Sequence, residues 1–536
     1  MKLSVGIGRL IFLGVLILGL SLAMTPTVGG IAQAGKVLRV GLAEDPDILD
    51  PTLARTFVGR IVFASLCDKL YEIDQNLNIV PQLAESLPDI APDGKSLTIK
   101  LRQGVKFHDG TDFNADAAKF SLDRHLTLPG SRRKSEISQL DKVEVVNPFQ
   151  IRLTLKSPFT PFLAQLSDRA GMMVSPKAAQ ALGDKFGTQP VCAGPFKFKE
   201  RVAQDHITVE RFNDYWDKDK IFVDQIVYKI IVDPSVRLAN LKAGELDLFE
   251  RVRPTDLKEV RSDPNLVLSS MVGLGYAGLT INIANKNGFD KPSVQLDTPL
   301  AKDPRVREAL ELSIDRKVLN DVVNDGEFIP DCTPIPSVTL YSISLFYPQA
   351  IKCLERDVNK AKQLLAQAGV PKPVKFTLLT SNAPDAIREG EVIKSMAAEA
   401  GFDITINPVE FASALNQEDA GKYDVFAIGW SGRLDPDGNI YEFKVCGGTL
   451  NSTGVCDKKI DAILDQTRAE TDKVKRGVLY AQLMDLNGPP DQSFLTRRDI
   501  IYLWHGVNFV ALNKKVTGFI AVPDGLLRFK GVKLGS

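Results

Sequence analysis

Between residues 374 and 430 the chain repeats one pattern. An apolar stretch, "KFTLLTS" (375–381), is followed by helical periodicity over 384–400 that stops at Gly401, a second strand "DITINPVE" (403–410), a short helix, and a third strand "YDVFAIGW" (423–430). Strand, helix, strand, helix, strand predicts a parallel α/β sheet, because parallel neighbours need a crossover that returns the chain to the same end. Open parallel sheets take ligands in the crevice beyond the carboxyl ends of their strands. Thr380, Ser381 and Asn382 fall at one such end, and Trp430, Ser431, Gly432, Arg433 and Asp435 at another. That edge presents an indole, hydroxyl and amide groups, a fixed cation and carboxylates, a set suited to recognising a small polar molecule.

The remaining 479 or so residues must fill more than this one sheet, since a chain of 536 residues exceeds the roughly 250–300 at which a single core stops growing. Two or more lobes are expected. "KVLRVGLA" reads as an opening strand that ends in the turn-rich "EDPDILDP", and 101–118 as short strands with a tight turn at Asp109-Gly110. Half-buried strands follow in "FKFKE", "HITVERF" and "DQIVYKIIV". Asp303-Pro304 supplies an N-cap and a proline at the first helical position, and Gly369 closes a helix over 358–368.

Lys2 and Arg9 precede an apolar run from 10 to 24, and Ala32-Gln33-Ala34 gives the small-x-small pattern of a cleaved secretory leader over 1–34. The run is shorter than the roughly 20 residues a membrane-spanning helix needs. Without Lys2 and Arg9, 64 basic residues face 66 acidic ones. This near-neutral balance argues against bulk electrostatic binding to nucleic acid or anionic lipid.

All six cysteines lie beyond the leader, where an exported chain can form disulfides. Cys446 with Cys456, and Cys332 with Cys353, are the economical local pairs. Cys67 and Cys192 then pair by default. Metal binding by these cysteines has no C-x-x-C spacing and no neighbouring histidine behind it.

Several site residues carry two readings. Trp430 at a strand end serves as core or as a plate for a ligand, Asn382 contacts a ligand or caps the following helix, and Asp435 and Asp437 belong to a "DPDG" turn. That turn is no calcium loop, since Ile440 stands where an EF-hand requires glycine. Gly429-Trp430-Ser431 after a strand also resembles the start of a serine-hydrolase elbow, with His505 later in the chain. Arg433 occupies the elbow's fifth position, where glycine is needed.

Seven stretches in order, "LYEIDQNLNIVPQLAES" (70–86), "LRQGVKFHDGTDFNADAAKFSL" (101–122), "AGPFKF" (193–198), "RFNDYW" (211–216), "LKAGELDL" (241–248), "RVREALELSIDR" (305–316) and "NKKVTGF" (513–519), resemble the peptide/nickel class of extracellular solute-binding proteins (family 5) that serve ATP-driven importers. The resemblance implies two α/β lobes enclosing a small peptide or peptide-like ligand. Lobe I would span 35–283 and 503–536, with an inserted subdomain at about 75–190, and lobe II 284–502. It implies crossover strands near 276–283 and 500–509, which carry Tyr276 and Trp504, and a Trp430 loop facing Ala193, Gly194 and the Asp45 loop across the cleft. It further implies a periplasmic monomer without cofactor, metal or catalysis, partnered by a permease in the inner membrane; a chaperone or sensor shares this fold.

One departure bears on the ligand. In peptide binders of this class the position three residues past the tryptophan looks like an aspartate for the ligand's ammonium, and here it is Arg433. An arginine cannot accept a hydrogen bond. Unless Asp435 substitutes for it, the ligand presents an anion there, which brings acidic peptides, opine-type conjugates and glutathione-like molecules forward.

Overall fold

The computed structural model describes residues 35–289, 291–339 and 352–535. The expected leader lies outside them. Among the described residues no helix is long and apolar enough to cross a membrane.

Two mixed sheets organise the chain. The first runs Leu266–Val272, Val507–Asn513, Leu248–Glu250, Val37–Leu42, Gln225–Ile230, His206–Arg211, Phe196–Val202. At its centre Val37–Leu42 lies parallel to both neighbours, and Leu38, Val40 and Leu42 are fully buried. The second sheet runs Ile329–Pro330, Ile500–His505, Tyr276–Ile281, Val425–Trp430, Val374–Ser381, Phe402–Val409. Its last three strands are parallel, as the strand and helix alternation requires, with helices Pro384–Ala400 and Phe411–Asp419 as crossovers. Gly401 takes the left-handed conformation, at φ 106°, that ends the first of these helices.

The sheets are the frameworks of two lobes. The chain leaves the first sheet after Val272, enters the second at Tyr276, and returns between His505 and Val507. The first crossing therefore falls earlier than 276–283. Tyr276–Ile281 is instead a full strand of the second sheet, antiparallel to both Val425–Trp430 and Ile500–His505, because Leu279 and Ile281 are buried in that sheet's core. Between Leu42 and Phe196 a four-stranded antiparallel sheet, ordered Asp89–Ile90, Ser96–Lys100, Gln150–Leu155, Leu140–Asn147, has its own core around Ile99, Phe107, Phe113 and Leu153.

All three cysteine pairs are bonded: Cys67–Cys192, Cys332–Cys353 and Cys446–Cys456.

Candidate functional site

The loop after Val425–Trp430 is built from inside. Gly432 is left-handed, at φ 79°, and a Cβ there would lie 2.1 Å from the carbonyl carbon of Leu274, so only glycine fits against the neighbouring crossing. Asn439, 1% exposed, ties the loop together. Its Oδ1 accepts from Arg433 N (2.9 Å) and Trp430 Nε1 (3.1 Å), and its Nδ2 donates to the carbonyls of Leu274 (3.0 Å) and Pro334 (3.1 Å).

The polar residues of this loop are spent on its own architecture. Asp435 accepts a two-pronged pair from Arg476, both contacts at 2.7 Å. Asp437 does the same with Arg468, at 2.7 and 3.0 Å, and takes a further hydrogen bond from Gln165 of lobe I at 3.2 Å. Asp435 is thus no substitute anchor for a ligand cation: it is buried and already neutralised. Arg433 is drawn largely into the same framework and does not line the cavity between the lobes, while its buried Nη2 has no hydrogen-bond partner among the described residues. Its Nε lies 2.6 Å from Asp168 Oδ2 of lobe I, its Nη1 donates to Gly432 O, and its guanidinium covers the Trp430 ring at 4.3 Å from the centroid. Burial pushes its pKa down, to about 10, against the opposing pull of Asp168.

Between the lobes lies a cavity of about 440 Å³, within the range of small-ligand sites. Trp430, Ser431, Tyr276 and Trp504 line it, so the structure brings these four expected residues together. Phe289, Phe411 and Phe443 add aromatic wall. One face of Trp430 carries Arg433, while Phe443 meets its ring nearly edge on, with centroids 5.0 Å apart. Among the described residues the buried Tyr276 hydroxyl has no hydrogen-bond partner.

Asn382 and Asp45 line an adjoining cavity of about 420 Å³ that shares Trp504 with the first. Asn382 does not cap the helix, whose N-cap is Ala383. Asp45 is held by Arg201 (2.9 Å) and by the backbone N of Gln204 (2.9 Å). Ala193 and Gly194 line neither cavity. Ala193 is packed in the core of the inserted subdomain, and Gly194 N donates to Leu66 O at 2.9 Å, with no room for a Cβ. Their small size serves close backbone packing.

Sequence reasoning missed the cavity's basic end. Arg55, Arg132, Arg133 and Arg169 of lobe I line it, facing Glu136, Glu418 and Asp419. Arg55 reaches Asp419 at 2.6 Å and Glu418 at 3.1 Å, and Arg132 reaches Asp419 at 2.8 Å, so these pairs bridge the lobes. Arg133 pairs with Glu136. Among the described residues Arg169 has no ion-pair partner; its one hydrogen bond goes from Nη1 to Ala54 O at 2.7 Å, and it is 1% exposed. Among the described residues Arg132 Nη1, Arg133 Nε and Arg169 Nε are buried donors without an acceptor. Burial, reinforced by the Arg133 charge, pushes the Arg169 pKa well below the usual value. Asp168 opposes this shift, and among the described residues no carboxylate pairs directly with Arg169.

Ser431 and His505 do not pair with each other as a serine hydrolase requires. The hydrogen bond to Ser431 Oγ comes from Arg60 (3.1 Å), while His505 Nδ1 engages Gly275 O (2.7 Å) and its Nε2 faces Asp331.

Two α/β lobes joined by crossing strands, with an aromatic and arginine-lined cavity enclosed between them, define a solute-binding protein. A family model described as "Bacterial extracellular solute-binding proteins, family 5 Middle" matches residues 78–451, and the chain belongs to that family. It is similar to the glutathione-binding protein GsiB of Pectobacterium atrosepticum, 28% identical over 500 residues, which are 91% of this chain and 92% of the relative. Among solved structures it resembles the binding protein AgaA of A. tumefaciens R10 in complex with agropinic acid, at 28% identity and TM-score 0.81, covering 93% of this chain and 99% of that one. It also resembles DppA of Helicobacter pylori in complex with the peptide STSA, at 25% identity and TM-score 0.82, covering 94% and 98%.

Proposed function

We propose that the mature chain is the periplasmic, monomeric binding component of an ATP-driven importer, and that it carries an acidic small peptide or peptide-like solute to an inner-membrane permease. The observation that carries this reading is the set of buried arginine donors that lack acceptors among the described residues at one end of the aromatic cavity. A solute carboxylate or other anion satisfies them, because a buried guanidinium gains most from a charged acceptor placed to take two N–H groups. Trp430, Tyr276 and Trp504 then cover its apolar surface, and Ser431 lines the same cavity. Binding rather than turnover is the task of this arrangement.

Because side chains from both lobes line the cavity, a solute that fills it favours the closed arrangement over the open one. Micromolar affinity corresponds to about −8 kcal/mol, enough to bias such an equilibrium. An opine-type or glutathione-like solute fits the same basic end, in keeping with the ligands named for the similar AgaA and GsiB proteins.

Native mass spectrometry of residues 35–536 purified from a periplasm, compared with the same sample denatured, tests this reading. The expected result is a released small mass, or a ladder of them, bearing at least one acidic group. Retention of only neutral or cationic solutes contradicts the reading.

A further inference from the structure

Six carboxylates line the main cavity: Glu44, Glu136, Glu389, Glu418, Asp419 and Glu442. Five are engaged. Glu136 pairs with Arg133, Glu418 and Asp419 with Arg55, and Glu44 with Arg251 at 3.3 Å, while Glu442 accepts from Thr449 N at 3.0 Å and lies 3.6 Å from Arg468. Glu389 stands apart. It sits on helix Pro384–Ala400, two turns beyond the strand end at Ser381, half-buried and opening onto both cavities. Among the described residues no donor or cation pairs with its carboxylate, and the charged neighbour that acts on it is Asp385, of like sign. Burial, with Asp385 adding to it, pushes its pKa up to about 7.

The surroundings make this a built site rather than a stray surface acid. Phe328, Phe411, Ala386 and Trp504 line the same cavities. The same main cavity holds polar groups more than nine-tenths buried and lacking partners among the described residues: Arg169 Nε, Arg133 Nε and the Tyr276 hydroxyl. A cavity lined by arginines of lobe I with unsatisfied donors and by an unpaired carboxylate on a helix of lobe II is bipolar. Each unpaired charge in a partly dry site is costly until a counter-charge arrives.

We propose that Glu389 is the specificity-determining residue that receives a protonated amine of the bound solute, while the arginine end takes its carboxylate. The protein then selects zwitterionic, amine-bearing solutes of the amino-acid or small-peptide class over those whose nitrogen is acylated or closed into a lactam. This rests on the solute-binding reading above and narrows its substrate class. No proton transfer to the solute is needed: an ammonium beside Glu389 holds the carboxylate ionised, and the pair forms as an ion pair.

The test uses the mature protein and two solute pools, the low-molecular-weight fraction of yeast extract and the same fraction acetylated at its amines. Captured masses are read by native mass spectrometry for wild type, Glu389→Gln and Glu389→Asp, each checked for a wild-type melting transition. Wild type is expected to capture at least about tenfold more from the untreated pool, equivalent to about 1.4 kcal/mol. Glu389→Gln is expected to lose that preference and Glu389→Asp to keep part of it. Equal capture from both pools by wild type overturns the ammonium assignment and leaves the solute-binding reading standing. Persistence of the full preference in Glu389→Gln overturns the assignment to Glu389. Capture from neither pool overturns the solute-binding reading itself, and this proposal with it.

Discussion

Arg169→Met is expected to weaken solute binding by two to three orders of magnitude without destabilising the solute-free protein. The two effects have separate origins. In the bound state a solute anion shares a desolvated pair with the guanidinium, and truncating one partner of such a pair costs about 2–5 kcal/mol, where 1.4 kcal/mol is a factor of ten. In the free state the same guanidinium is 1% exposed and has no carboxylate partner among the described residues. Methionine fills the volume, removes the buried charge, and forfeits one hydrogen bond to Ala54 O, which also accepts from Arg133 at 3.4 Å. The nearby pair of Asp168 with Arg60 and Arg433 stays intact. Calorimetric titration with the recovered solute and a thermal melt of the solute-free protein measure the two quantities. Loss of melting temperature with unchanged affinity identifies Arg169 as structural and contradicts the assignment.

Asp499→Ala is expected to destabilise the fold by about 3–5 kcal/mol, the cost of breaking a buried pair by removing one partner. Asp499 is wholly buried, as is Lys444, whose Nζ lies 2.7 Å from Asp499 Oδ1. Arg497 approaches the other oxygen at 2.7 Å. These two cations hold the Asp499 carboxyl well below its usual range against the opposing effect of burial. The pairing joins helix Asp437–Lys444, which carries the end of the Trp430 loop, to strand Ile500–His505, which leads to the return crossing. Without Asp499, Lys444 and Arg497 face each other in the interior. Urea unfolding followed by circular dichroism reads the change; a loss below about 1 kcal/mol, the worth of an exposed pair, contradicts it.

Much of the second lobe was legible because its signals are local. The alternation over 374–430, the Asp303-Pro304 start and the Gly401 stop each act within a few residues, and all appear in the structure. The cysteine pairs were legible for a similar reason in two cases, since Cys332–Cys353 and Cys446–Cys456 close loops of 21 and 10 residues. The first crossing was misplaced because the turn between Val272 and Tyr276 has no periodicity, while "YAGLTINI" reads as one uninterrupted strand.

The site was legible in outline, while the partners of its charged residues were not. The Trp430 strand end does border the cavity, yet Arg433 and Asp435 are neutralised by Asp168 and Arg476, partners that no local pattern announces. An arginine in sequence defaults to solvent, so Arg133 and Arg169 carry no local signal of burial beyond the concentration of cations in "SRRK" at 131–134. Glu389 is harder still: it is one of several acids on an amphipathic helix, and only the cavity distinguishes it from its exposed neighbour Arg388.

A solute bound between the lobes is touched from both. Hydrogen–deuterium exchange of the mature protein, stripped of solute and then reloaded with the recovered solute, tests it most directly. The account predicts slower exchange on loading at 54–57 from lobe I and at 276–281, 411–418 and 425–433 from lobe II, the segments whose side chains line the cavity or carry its walls. Unchanged exchange in these segments, with protection confined to surfaces outside the cavity, would contradict it.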